Sequence, residues 1–222
     1  MTIVLSSTTY PSGDGLPVAE TYLHLYAILT TLEVLRQYLE GQQATVLANQ
    51  FLYYAPGIPT ARVAPDVMVI FGVRPGGRDN YKIWEEGQVP AVVFEITSAA
   101  TQARDQGIKK TLYEQLGVSE YWLFDPKGEW IPEKLLGYRL TPVLGAEPDQ
   151  PQALYVLISD SVSSVLELRL AVEDALIAFY RLENSQKLPF PAELAQRLQQ
   201  SERRAALLAE RLRAMGVDPD QL

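Results

Sequence analysis

Two stretches constrain this 222-residue chain more than any others: "VAPDVMVIFGV" at 63–73 and "AVVFEIT" at 91–97, each almost wholly apolar and each carrying one acid, Asp66 and Glu95. Runs this apolar fit strands covered on both faces better than exposed edges. An ionised carboxylate inside such a strand is costly unless it is paired, hydrogen-bonded or bound to a cation, so something must compensate both acids. Side chains alternate along a strand, so Glu95 and Thr97 share one face while Phe94 and Ile96 take the other. One face near the C-terminal end of the second run is therefore polar.

The segments around these strands set the architecture. Thr21 to Leu39 repeats apolar residues at helical spacing (Leu25, Leu29, Leu32, Leu35, Leu39), predicting an amphipathic helix that ends near Gly41. Residues 45–54 are β-like. A polar, Gly-rich connection leads to the Glu95 strand, and 98–117 reads as a helix with Ile108, Leu112 and Leu116 four apart and Gly117 as its C-cap. "EYWLFDP" follows as a strand stopped by Pro126. Strand, helix and strand with short connections predict a right-handed crossover and a sheet with parallel character. "LLGYRL", "ALYVLIS" and "VLELRLAVE" finish the sheet or add a hairpin edge.

Three segments are expected: a loose leader at 1–16, a domain at 17–190 and a helical appendage at 191–222. Leu194, Leu198, Ser201, Ala205, Leu208, Leu212 and Met215 trace a heptad seam in the last of these. A helix docked on its own domain and a dimer-forming coiled coil both fit this pattern.

Composition narrows the chemistry. With no cysteine, neither a disulfide nor a thiolate zinc site can form. No stretch reaches the roughly 18 apolar residues of a membrane helix, so a cytoplasmic protein with no membrane partner is expected. The net charge of −8 argues against a tight DNA grip, although carboxylate-bound cations invert the local potential. No phosphate-binding loop, dinucleotide fingerprint or nucleophile elbow occurs. On the 98–117 helix Asp105, Lys109 and Tyr113 form a stripe four residues apart, from which a lysine can reach back over the strand end. Two carboxylates on neighbouring strands suit Mg²⁺ or Mn²⁺ with water, and a nearby ammonium can stabilise developing phosphorane charge.

"APDVMVI", "VVFEITSAAT", the spacing of Asp105 and Lys109, and "LYEQLGVSEYWLFDP" together resemble the Uma-two family of bacterial proteins over about residues 18–180. That family resembles the PD-(D/E)XK nucleases. The resemblance implies an α/β (α+β) restriction-endonuclease-like fold, a mixed β-sheet core flanked by helices with a C-terminal helix. It implies a Mg-dependent endonuclease acting on DNA, with Asp66 and Glu95 as metal ligands and catalytic acids. Thr97 stands where the motif has lysine, and the resemblance moves that lysine to Lys109, with Lys110 pointing elsewhere. Some relatives add an acid from the first helix, for which Glu20 is the candidate. Thr97, Asp105 and Tyr113 are expected in support.

Other readings stay open. Asp66 could cap backbone amides after Pro65. Glu95 could pair with Arg62 or Arg104, and Lys109 with Asp105 or Glu114. The single histidine, His24, reads as a polar face residue more readily than as a pocket residue. Arg62, Arg74, Arg78 and Lys82 could form a phosphate-contacting rim. A catalytically silent module, working through a homodimer of the C-terminal helix, is the alternative to the enzyme. If the site is a metal site, removing either acid is expected to leave the metal-free fold intact.

Overall fold

The computed structural model describes residues 8–13, 15, 21–145, 152–216 and 218. In chain order the elements are α1 (Tyr22–Tyr38), β1 (Ala44–Ala48), β2 (Leu52–Tyr53), β3 (Arg62–Val63), β4 (Val67–Phe71), β5 (Tyr81–Lys82), α2 (Ile83–Glu86) and β6 (Val92–Ile96). Next come α3 (Gln102–Arg104), a π-helical turn (Asp105–Lys109), α4 (Lys110–Leu116), β7 (Glu120–Phe124), β8 (Leu135–Pro142) and β9 (Ala153–Ile158). The chain continues through β10 (Val162–Ser163), β11 (Leu168–Glu173), β12 (Leu176–Arg181) and α5 (Pro191–Ala214). It divides into two compact units, Met1–Leu188 and Pro189–Leu222.

A six-stranded mixed sheet in the order β1-β4-β6-β7-β8-β9 organises the first unit. β6 and β7 run parallel, joined by the helix from α3 through α4, while their outer neighbours pair antiparallel. The two acid-bearing runs are thus adjacent central strands, and each is buried because both faces are covered. On one face Met68, Ile70, Val93, Tyr113, Tyr121 and Leu123 form a continuous core. On the other, Phe94 meets Phe179 of β12 edge to face, with ring centroids 6.0 Å apart. Two small sheets, β10-β11-β12 and β3-β2-β5, complete the strands.

Thr21 caps α1, its hydroxyl accepting the His24 N–H at 3.4 Å. The helix lies where expected, but its buried face follows the leucine row only at its C-terminal end: His24, Ala27, Ile28, Thr30, Thr31, Val34 and Leu35 are buried, as is Leu39 just beyond, while Leu25 and Leu29 are about half exposed. Short side chains at 27, 30 and 31 make the close-packed face, so leucine content is a poor guide to it. The β-like stretch at 45–54 breaks into β1 and β2 around Asn49, whose φ of 51° lies in the left-handed region. The expected 98–117 helix carries a π turn, and the extra residue in that turn throws Ile108 out of its apolar row to 71% exposure.

Of the expected leader, Tyr10 packs against Tyr53 and Trp84, with centroids 5.1 and 5.2 Å away. No helix among the described residues is long and apolar enough to cross a membrane.

Candidate active site

Register brings the two acids together. β4 pairs antiparallel with β6 up to Val67 opposite Phe94, and one step further along stand Asp66 and Glu95. Asp66 precedes β4 directly, and its Oδ2 accepts the Ile96 N–H at 2.6 Å, which ties its carboxylate to the neighbouring strand. Glu95 is fully buried. Its Oε2 accepts from Lys109 Nζ at 2.7 Å and its Oε1 from the Tyr113 hydroxyl at 2.7 Å.

The π turn positions Lys109. Its ammonium also lies 3.0 Å from Oδ1 of Asp105, four residues earlier and fully buried. The Asp105 carbonyl in turn accepts the Tyr121 hydroxyl at 2.9 Å, anchoring the turn on β7. Lys110 points away, its ammonium 3.9 Å from the Tyr138 ring centroid. Among the described residues the basic partner of Glu95 is therefore a lysine from the next helix and not Arg62 or Arg104.

Three carboxylates surrounding one ammonium leave an excess of negative charge, and the titration of the groups follows from it. Burial pushes the Glu95 carboxyl up, to about 8; the charge of Lys109 opposes this, while Asp66 and Asp105 add to it. Burial would depress Lys109, but Glu95, Asp105 and Asp66 outweigh it and hold the ammonium above the usual lysine range. Burial first, and Glu95 next, raise the Tyr113 hydroxyl well above the ordinary tyrosine value, so it stays a proton donor at neutral pH.

A cavity of about 340 Å³ opens beside this cluster, with Asp66, Thr97, His24, Ser98 and Thr101 on its polar side and Ala99, Ala100, Pro126 and Trp130 among its other walls. The Thr97 hydroxyl is buried and finds no hydrogen-bond partner among the described residues. Its position as the residue two after Glu95 on the same strand face was legible in the sequence.

Two further cavity residues carry little signal in the sequence. His24 is 7% exposed and places Nε2 3.8 Å from Asp66 Oδ2; its burial on the sheet-facing side of α1 escapes a reading based on leucine spacing. Asp125 accepts four backbone N–H groups, those of Lys127 (3.1 Å), Gly128 (3.0 Å), Trp130 (2.6 Å) and Ile131 (3.1 Å), and so fixes the loop that forms one wall. The acid followed by Pro-Lys-Gly is its only sequence signal.

The expected basic rim does not line the cavity. Arg78 bonds Glu86 at 2.8 Å, Lys82 bonds Glu85 at 3.1 Å and Arg62 stacks over Phe51, while Arg74 gives its carbonyl to Arg78. Local acids thus absorb the charges of Arg78 and Lys82. Glu20 lies outside the described residues. Among the described residues no group of three or more His, Asp and Glu side chains is arranged to hold a metal ion as it stands.

The site thus sits on a mixed α/β fold in which two acids stand at adjacent strand ends and a helix-borne lysine pairs with Glu95 and Asp105. The chain belongs to the Uma2 family, described as "Putative restriction endonuclease", whose family model matches residues 10–163. Among solved structures it is similar to a protein of Anabaena variabilis ATCC 29413 from the DUF820 group, described as "a putative nuclease", at 16% identity and a TM-score of 0.47 over 72% of this chain and 82% of that one. No curated protein matches it.

Proposed function

We propose that this chain is a metal-dependent endonuclease that hydrolyses phosphodiester bonds of DNA. The observation that carries this reading is the Lys109 ammonium held between Glu95 and Asp105, with Asp66 lining a cavity beside them. Family membership supports nuclease chemistry of this kind.

The residues present fit a divalent cation. Three acids face one lysine, and a buried threonine hydroxyl without a partner borders the same cavity. Each carboxylate oxygen has a second lone pair, so the contacts of Glu95 with Lys109 and Tyr113 do not exhaust it. Asp66 and Glu95 would hold Mg²⁺ or Mn²⁺, with Glu20 as a further acid from the chain before α1. Bound there, the ion supplies an activated water and neutralises phosphate charge.

The chain's own groups do the rest. The Ile96 N–H orients Asp66, and Tyr113 holds Glu95. Lys109 keeps a permanent positive charge where negative charge builds up on the phosphate. The Thr97 hydroxyl is available to donate to a bound water or phosphate oxygen.

The test pairs calorimetric Mg²⁺ and Mn²⁺ binding with nicking of supercoiled plasmid, for wild type and Asp66→Asn. Binding and nicking in the wild type, both lost in the variant, are expected. No binding at millimolar metal would overturn the reading.

A second reading is favoured by the bonds that already close the Glu95 carboxyl and by Thr97 in place of the motif lysine: a nuclease fold that has become a binding or oligomerisation module. In either reading α5 is the proposed homodimer contact, since Leu194, Leu198 and Leu208 of its heptad seam are exposed. A cytoplasmic setting completes the proposal.

A further inference from the structure

His24, the sole histidine of the chain, lines the cavity beside Asp66, the first of the proposed metal ligands. Thr21 places His24 in the first turn of α1, with the ring on the buried face and against the cavity. Its Nε2 is 3.8 Å from Asp66 Oδ2, too far for a hydrogen bond. A cation about 2.1 Å from each of two donors holds them about 3.0 Å apart in cis and up to about 4.2 Å apart in trans, so a 3.8 Å gap lies within the reach of one shared ion. The same Asp66 oxygen is oriented from behind by the Ile96 N–H, as a metal-ligating carboxylate usually is. The partnerless Thr97 hydroxyl borders the same space and can take a metal-bound water.

We infer that His24 is a protein ligand of the metal, sharing one divalent cation with Asp66 through Nε2. The inference rests on the metal reading of the site and adds a nitrogen donor to an otherwise oxygen set. That donor changes which ion the site prefers. Carboxylate and water suit Mg²⁺, whereas an imidazole favours later first-row ions, in the order Mn²⁺ below Co²⁺. The site is therefore tuned away from Mg²⁺ towards Mn²⁺ and Co²⁺. A simple histidine–aspartate ion pair would give no such preference.

The experiment measures Mg²⁺, Mn²⁺ and Co²⁺ affinities by calorimetry, together with the visible absorption of the Co²⁺ form, for wild type, His24→Gln, His24→Ala and Asp66→Asn. Loss of the imidazole is expected to weaken Co²⁺ by about tenfold or more, with Mg²⁺ changed far less, and to shift the Co²⁺ bands. Free imidazole added to His24→Ala is expected to restore both, which guards against a variant that merely packs poorly. An unchanged Co²⁺-to-Mg²⁺ ratio in both histidine variants, with metal still bound and still lost in Asp66→Asn, overturns the role of His24 alone. Absence of any metal binding in the wild type overturns the metal reading and this inference together.

Discussion

Glu95 and Asp66 differ in how the protein compensates them, and the difference decides what their removal does. Glu95 has a folded-state value of about 8 against an ordinary 4.5. A raised value means that the folded protein binds the proton more tightly than the unfolded chain does. Its contribution to stability is complete below about 4.5 and is lost as pH rises towards 8. Denaturant unfolding with chelator present should therefore show wild type losing stability relative to Glu95→Gln between pH 5 and 8. A stability difference that stays constant over that range would mean that the carboxyl is already ionised when folded. Asp66→Ala leaves the Ile96 N–H without its acceptor, at a cost of about 1–3 kcal/mol. A urea midpoint lowered accordingly, beside a near-normal Asp66→Asn, would replace the expectation that the metal-free fold is indifferent to this acid. Asp66 and Glu95 stood out in the sequence because a lone acid in an apolar strand is conspicuous, and Lys109 because it shares a four-residue helical stripe with Asp105 and Tyr113. His24 was not, since a single polar residue on a helix says nothing of its face until the sheet is in place.

At the scale of elements, the parallel pair β6 and β7 and the helix between them followed from apolar runs and a glycine stop. The π turn did not, because one additional residue leaves no mark on composition and only rotates the rest of the helix. That rotation exposes Ile108 while Asp105 and Lys109 stay on the site. Helical irregularities of this type are frequent at functional positions. β8 makes a different demand: a Cβ on Gly137 would lie 2.5 Å from the Trp122 ring on β7. Gly137→Ala must push the indole or the strand aside, and a loss of about 1–3 kcal/mol is expected in a thermal melt. An unchanged melting temperature would mean that Trp122 has room to move.

For the molecule as a whole, the charge of −8 and the pairing of Arg78 and Lys82 with nearby acids leave the cavity as the place where DNA is proposed to be met. The proposed dimer adds a second copy of that cavity. Removing residues 191–222 is expected to halve the mass seen by light scattering, and a full-length chain that already scatters as a monomer would dispose of the dimer. The heptad seam was plain in the sequence, yet its partner was not, because an apolar stripe does not say what covers it.

The contact of Phe94 with Phe179 also carries a consequence for how the protein is made. Phe94 is the residue before Glu95, and its face of the sheet is closed by a strand near the end of the first unit. During synthesis the acid-bearing strands leave the ribosome long before that cover exists. The nascent chain must wait for β12 to emerge before the strand holding Glu95 is sealed on both sides, so a truncated product ending ahead of Phe179 would have every proposed metal ligand but no finished scaffold to hold them.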